Sequence, residues 1–307
     1  MLLEALGSAA GASFRSRLRF SSLRVLDSAG GLIAGALTGF AFVWVVGAVG
    51  LQLPGQADFR REVQRSVVLR KLNSIVPPRT FLNVLARFDP LPSLTGPALP
   101  GRPPNPQVLR SQGARLAASS TVRILGTACG LGVEGSGWVA RPGIVVTAAH
   151  VVAGERDTNV LPLSGGRLDA TAVFFDSRND LALLRVPGLG ERPLRLVEPE
   201  PGAAVVILGY PENGPLDASP GRIGTTAAVV SQDSYGRGPV LRTVTSFSGL
   251  VRYGDSGGPA VDASGAVETT VFAARKDGRG GLGVPTSLVR HALVTAGDSV
   301  STGPCVR

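Results

Sequence analysis

From Thr121 onward, apolar residues gather in short runs closed by glycine, proline, asparagine or aspartate, the punctuation of a strand-rich fold. The runs Thr121–Gly126, Gly135–Ala140, Ile144–Ala148, Asn159–Leu163, Ala170–Phe175 and Leu181–Val186 predict six strands. After the Pro/Gly turn near Gly188–Pro193, six more follow: Ala203–Leu208, Gly224–Val230, Val240–Thr245, Pro259–Asp262, Val267–Ala274 and Gly281–Val284. Two groups of six short strands fit two six-stranded barrels packed together. Thr286 to Thr295 closes this mostly β part, residues 115–307, as a helix.

Upstream the pattern changes. Ser28 to Ala57 carries no charge, and Ala29 to Leu53 is mostly Gly, Ala, Val, Leu and Phe. About 20 such residues span a hydrocarbon core, so 29–53 is a candidate transmembrane helix within a membrane segment 1–57. A secretory signal ending near Gly55-Gln56-Ala57 and a buried core helix are the alternatives. Gly31, Gly35 and Gly39 recur every fourth residue, a face that lets a partner helix approach closely. Asp58 to Ser74 alternates Phe59, Val63, Val67 or Val68, and Leu72 with basic residues, as in a helix lying along a bilayer surface. Pro77-Pro78 ends it. Asp89 to Pro106 holds seven prolines and reads as an extended tether, so that 58–114 forms a linker.

A net charge of +9 raises the question of nucleic acid. Its distribution answers against it. Residues 115–307 carry 18 basic and 17 acidic groups, whereas 58–114 carry 9 and 3. The excess flanks the apolar segment, where anionic lipid headgroups fit better than nucleic acid. Basic residues stand on both sides of that segment, so charge alone leaves its orientation open.

The chemistry concentrates in three places. Gly254-Asp255-Ser256-Gly257-Gly258-Pro259 builds a tight loop in which the N–H groups of Gly254 and Ser256 can hold an oxyanion. A serine hydroxyl needs a base. Of the two histidines, His150 lies in Thr147-Ala148-Ala149-His150 behind an apolar strand, and His291 falls on the terminal helix as a surface or packing residue. Asp180, at the head of Asp180-Leu181-Ala182-Leu183-Leu184, supplies an orienting carboxylate. The chain order His, Asp, Ser is one of the known orders of a catalytic triad. Nothing in the sequence suggests a metal site or a cofactor. A peptide-binding module that does not cut, and an esterase, fit the same residues.

Cys129 and Cys305 are the two cysteines. A bridge between them closes about 175 residues, worth roughly 4–5 kcal/mol in the loop-entropy model. Two buried thiols are the alternative. A bridge persists in an oxidising compartment, which favours residues 115–307 lying outside the cytoplasm.

The motifs Leu26-Asp27-Ser28-Ala29-Gly30-Gly31, Gly135-Ser136-Gly137-Trp138-Val139, Thr147–Gly154, Asn179-Asp180-Leu181-Ala182, Leu208-Gly209-Tyr210-Pro211 and Gly254–Pro259 resemble one group. It is the actinobacterial membrane-anchored serine proteases of the acid-resistance (MarP) type, with a colicin V production (CvpA) membrane part before a periplasmic trypsin-like domain. The resemblance implies a chymotrypsin-like double barrel and peptide-bond hydrolysis of extracytoplasmic proteins in envelope stress or acid resistance. It implies catalysis by His150, Asp180 and Ser256, with the oxyanion held at Gly254 and Ser256. It also implies a specificity pocket lined by Leu250, Val271, Phe272 and Ala273, whose apolar character suits a small or hydrophobic residue before the cut. The family's membrane part has about four helices where this sequence shows one, which suggests a shortened N-terminus. Asp255, where anchored bacterial proteases often have Asn, is expected to cap the loop.

Overall fold

The computed structural model describes residues 35, 38–39, 87–88, 91–99, 101–129 and 131–304. Gly35, Thr38 and Gly39 are helical and exposed; Gly31 and the rest of the candidate membrane segment lie outside the described residues, as does the amphipathic stretch 58–74. Among the described residues no helix is long and apolar enough to cross a membrane. Residues 1–50 and 51–307 form separate units.

The larger unit is built on two sheets. The first contains β1 (Arg87–Phe88), β3 (Thr121–Ala128), β4 (Leu131–Arg141), β5 (Ile144–Thr147), β6 (Asn159–Leu161), β7 (Leu168–Asp169), β8 (Thr171–Asp176) and β9 (Leu181–Arg185). Its order is β7-β6-β3-β4-β5-β9-β8, with β1 parallel to β4. The second contains β2 (Ser93–Leu94), β10 (Ala204–Gly209), β11 (Asp217–Ser231), β12 (Val240–Gly249), β13 (Pro259–Val261), β14 (Val267–Arg275) and β15 (Gly280–Pro285). Its order is β13-β10-β11-β12-β15-β14, and pairing of β13 with β14 closes it into a barrel. The first sheet has no such closing ladder among the described residues; its corner is joined by the Ala170 N–H to the Thr158 carbonyl at 2.9 Å.

All twelve expected strands are present. The largest difference is β11, which begins at Asp217 rather than Gly224 and pairs with β10 from Asp217 to Arg222. Pro220 and Gly221 interrupt the alternation there and hide the strand. Among the described residues three α-helices accompany the sheets: α1 (Gln112–Ser119), α2 (Ala149–Val152) and α3 (Thr286–Thr295). α1 was not apparent in the pattern. Ser111 caps it by accepting the Ala114 N–H, and Gly113 packs so closely on Ser264 that a Cβ there would lie 2.1 Å from its backbone.

The Pro-rich run is extended, but it is no free tether. Proline has no N–H to donate, yet its carbonyl is a strong acceptor. The Pro92 and Leu94 carbonyls take the N–H groups of Ala274 and Lys276 at 2.9 and 3.1 Å, which makes β2 an edge strand on β14. Further along, Pro97, Ala98 and Pro103 accept from Arg275, Ser246 and Arg222.

The main core joins both sheets and includes Trp138, Val145, Val146, Leu181, Leu183, Phe272 and Leu282, all fully buried. Trp138 on β4 donates its indole N–H to Thr270 on β14 at 3.1 Å, so one side chain ties the sheets directly. A smaller core, with Val205, Ile207, Ile223 and Phe247, fills the second barrel.

Candidate active site

His150 enters on α2, a single turn whose four residues are all buried. Asp180 stands before β9 with φ of 60°, a left-handed backbone that costs a non-glycine residue energy. Asp176 holds that loop. Its carboxylate accepts the N–H groups of Arg178 and Asn179 at 2.9 and 3.1 Å and the Asn179 side chain at 2.6 Å. The result is a two-point contact: Asp180 Oδ2 lies 2.7 Å from His150 Nδ1, and Oδ1 accepts the His150 backbone N–H at 2.9 Å. Both side chains are about 1% exposed, so the carboxylate fixes the ring's rotation in a water-poor setting. A carboxylate on Nδ1 favours the tautomer that leaves Nε2 to act as base.

The second sheet helps to hold Asp180. The Ser234 N–H reaches the Ser177 carbonyl at 2.8 Å. Arg242, on β12 and 4% exposed, donates to the carbonyls of Arg178 and Gln232 and lies 4.4 Å from the Phe272 ring. Burial pulls the Arg242 guanidinium below its ordinary range, while the charges of Asp180, Asp233 and Asp176 push it back.

Ser256 is fully buried, between Asp255 and Gly257 ahead of β13. Gly257 has φ of 84°, and a Cβ on it would stand 2.1 Å from the Ser136 carbonyl and 2.9 Å from Ala148 N. Only glycine lets this loop sit against the entry to α2. At Gly135 a Cβ would meet Val151 at 2.6 Å and the Ser256 carbonyl at 3.1 Å. The structure thereby brings the Ser256 loop onto the turn that carries His150. The Gly257 N–H donates to the Val271 carbonyl at 2.7 Å, and the Val271 N–H to the Gly258 carbonyl at 2.8 Å, so β14 runs beside the Ser256 loop.

The two halves meet in a fold shared with known enzymes. Residues 135–267 match the model of the trypsin-like peptidase domain. The chain is 33% identical over 316 residues to serine protease Rv3671c of Mycobacterium tuberculosis, covering 96% of this chain and 79% of that protein. The chain belongs to the trypsin-like serine proteases. The active-form crystal structure of the Rv3671c protease superposes with a TM-score of 0.65 at 35% identity, over 70% of this chain and 98% of that one. Serine protease HTRA1 of Xenopus laevis is 28% identical over 179 residues, 55% of this chain and 38% of that protein. The fold is therefore the mostly β, two-sheet fold of trypsin-like and HtrA-type proteases, and the chain is a serine protease.

Asp255 is buried and its carboxylate accepts the Arg252 N–H at 2.8 Å, the loop-capping role expected for it. Val271, Phe272 and Ala273 are fully buried on β14, whereas Leu250, just past β12, is 53% exposed. Cys305 lies outside the described residues. Arg242 and Ser136 were missed as supports because each acts through backbone groups distant in sequence, and Asp176 because an aspartate two and three residues before the N–H groups it accepts reads as an ordinary turn residue. Only Ser136 had a signal: it stands between two glycines in Gly135-Ser136-Gly137, where a small residue must meet another chain segment.

Proposed function

We propose that this protein is an endopeptidase that cuts extracytoplasmic proteins while anchored to the plasma membrane by residues 29–53. Ser256 attacks the scissile carbonyl and His150 takes its proton. His150 then returns the proton to the leaving amine, and water releases the acyl-enzyme by the same route in reverse. Asp180 holds the imidazole and stabilises its cation. The N–H groups of Gly254 and Ser256 stabilise the tetrahedral oxyanion, and an apolar or small residue precedes the cut.

The two-point Asp180–His150 contact at 2.7 and 2.9 Å carries this reading, because a histidine that served packing alone needs no buried carboxylate on its ring. For the compartment, the support is indirect. The Gly154 N–H and the Tyr235 hydroxyl both reach the Thr302 carbonyl, and the Thr127 N–H reaches Asp157. These bonds bring the C-terminal tail toward the end of β3, which leads into Cys129, and so support a Cys129–Cys305 bridge. A place in acid or envelope stress rests on the family resemblance. It gains a physical handle from Glu155 and Glu268, which burial pushes up to about 8 and about 7.

The test is fluorophosphonate labelling of intact cells with a probe that does not cross the plasma membrane, comparing wild type with Ser256→Ala. Labelling of the wild type alone is expected. Labelling only after lysis would overturn the outward orientation. No labelling in either preparation would favour a peptide-binding module over an enzyme.

A further inference from the structure

Four consecutive carbonyls in the Ser256 loop are tied to protein. Tyr253 accepts the Glu212 N–H at 2.7 Å, Asp255 accepts that of Gly258 at 2.9 Å, and Ser256 accepts that of Ser136 at 2.7 Å. Gly254 accepts the Ser136 hydroxyl at 2.6 Å. In a trans peptide the carbonyl and the following N–H point in opposite directions. Fixing the Tyr253 and Asp255 carbonyls therefore fixes the directions of the Gly254 and Ser256 N–H groups, the two that hold the oxyanion.

Ser136 makes two of these four contacts, and its hydroxyl makes a third bond by accepting the Tyr210 N–H at 2.9 Å. Tyr210 begins the turn whose next residues are Pro211 and Glu212, the group that grips Tyr253. Glu212 and Asn213 both have left-handed backbones, with φ of 55° and 61°. The first sheet holds this turn from its other side. Arg123 stacks 4.8 Å from the Tyr210 ring, donates to the Gly214 carbonyl, and pairs with buried Glu134 at 3.4 Å. One hydroxyl thus sets the spacing between the turn and the loop. Ser136 itself is fully buried on β4 and can act only through these bonds.

We propose that Ser136 is a positioning residue for the oxyanion hole: from the first sheet it holds the Gly254–Asp255 peptide directly and, through Tyr210, the turn whose Glu212 N–H orients the Tyr253–Gly254 peptide that presents the Gly254 N–H. The proposal rests on the protease reading above. Without the hydroxyl, the Gly254 carbonyl and the Tyr210 N–H lose their shared partner, and the Tyr253–Gly254 peptide is no longer held in register with Ser256. Removal of one oxyanion donor costs on the order of 10²–10³ in kcat, so a misplaced donor should cost about 10–10².

The experiment compares wild type, Ser136→Ala and Ser136→Cys, with active sites counted by fluorophosphonate titration. A chromogenic peptide gives kcat per titrated site and KM; a peptide boronate and the matching product peptide give two inhibition constants. Ser136→Ala should lower kcat per titrated site about 10–100-fold with KM within threefold. The boronate, which forms a tetrahedral adduct, should weaken in parallel while the product peptide does not. Ser136→Cys, whose thiol is a weaker donor, should fall between, and it carries the test if the alanine variant does not fold. A kcat per titrated site within twofold of wild type, or equal weakening of both inhibitors, would overturn the proposal while leaving the protease reading intact. An unlabelled, inactive wild type would sink both.

Discussion

The two sheets hold their candidate catalytic groups in different ways. On the first, His150 and Asp180 are joined by a two-point contact at 2.7 and 2.9 Å with both side chains buried. On the second, Ser256 is placed by a run of four backbone carbonyls, answered by Glu212, by Gly258 and twice by Ser136. The first arrangement is nearly all-or-none, since a base without its carboxylate loses orientation and charge together. The second is graded, since each carbonyl contact adjusts the loop by a little. Each half also borrows support from the other: Arg242 and Ser234 of the second sheet grip the Asp180 loop, and Ser136 of the first grips the Ser256 loop.

That contrast can be broken or sharpened by substitution. The largest effect belongs to the nucleophile: Ser256→Ala should lower peptide hydrolysis roughly 10⁶-fold, with unchanged melting temperature. Asp180→Asn should lower kcat about 10⁴-fold, measured by steady-state kinetics, because the amide no longer favours the required tautomer. If Asp180→Asn cost no more than Ser136→Ala, the all-or-none description of the first sheet would fall.

A smaller effect concerns stability. Glu155 is buried against Gly126, accepts the Thr158 hydroxyl at 2.6 Å, and has its carboxyl raised to about 8, chiefly by burial. Between about 4.5 and 8 the folded protein then binds more protons than the unfolded chain, so stability falls as pH rises through that window. Glu268, raised to about 7 mainly by burial, acts in the same direction. Thermal melts from pH 5 to pH 8 should show the melting temperature falling by roughly 5 °C or more in the wild type. Glu155→Gln should flatten that slope, and an unchanged slope would assign the pH dependence elsewhere. The smallest effect is expected at Leu250, half-exposed just past the end of β12. Leu250→Ser should raise KM about threefold for substrates with an apolar residue before the cut, with kcat and melting temperature unchanged.

The strands and the reactive side chains were legible because both leave local marks. Strands of four to eight residues alternate or cluster apolar side chains, and the loops bearing His150, Asp180 and Ser256 have unusual local composition. The supports left little trace. Ser136 and Gly254 are 118 residues apart, and a hydroxyl bonded to a carbonyl imposes no pattern on its neighbours. Arg242 reads as a strand-surface arginine until the chain folds over it. The Pro-rich run was legible as extended but not as docked, because prolines accept hydrogen bonds without showing any periodicity. Residues 29–53 and Cys305 carry the anchoring and bridging proposals from sequence, outside the described residues.

The bond from Ser136 to Gly254 also bears on when the enzyme becomes dangerous to its own cell. Contacts between residues so far apart in sequence form late, since the intervening chain must first be ordered. Ser136 has nothing to grip in a chain that lacks Tyr210 and Gly254, or in one whose second sheet has come away from the first. The candidate oxyanion loop is held at this point only while residues 253–256 are docked on the first sheet. A chain truncated before Gly254, or one whose two sheets have separated, should therefore show no peptidase activity.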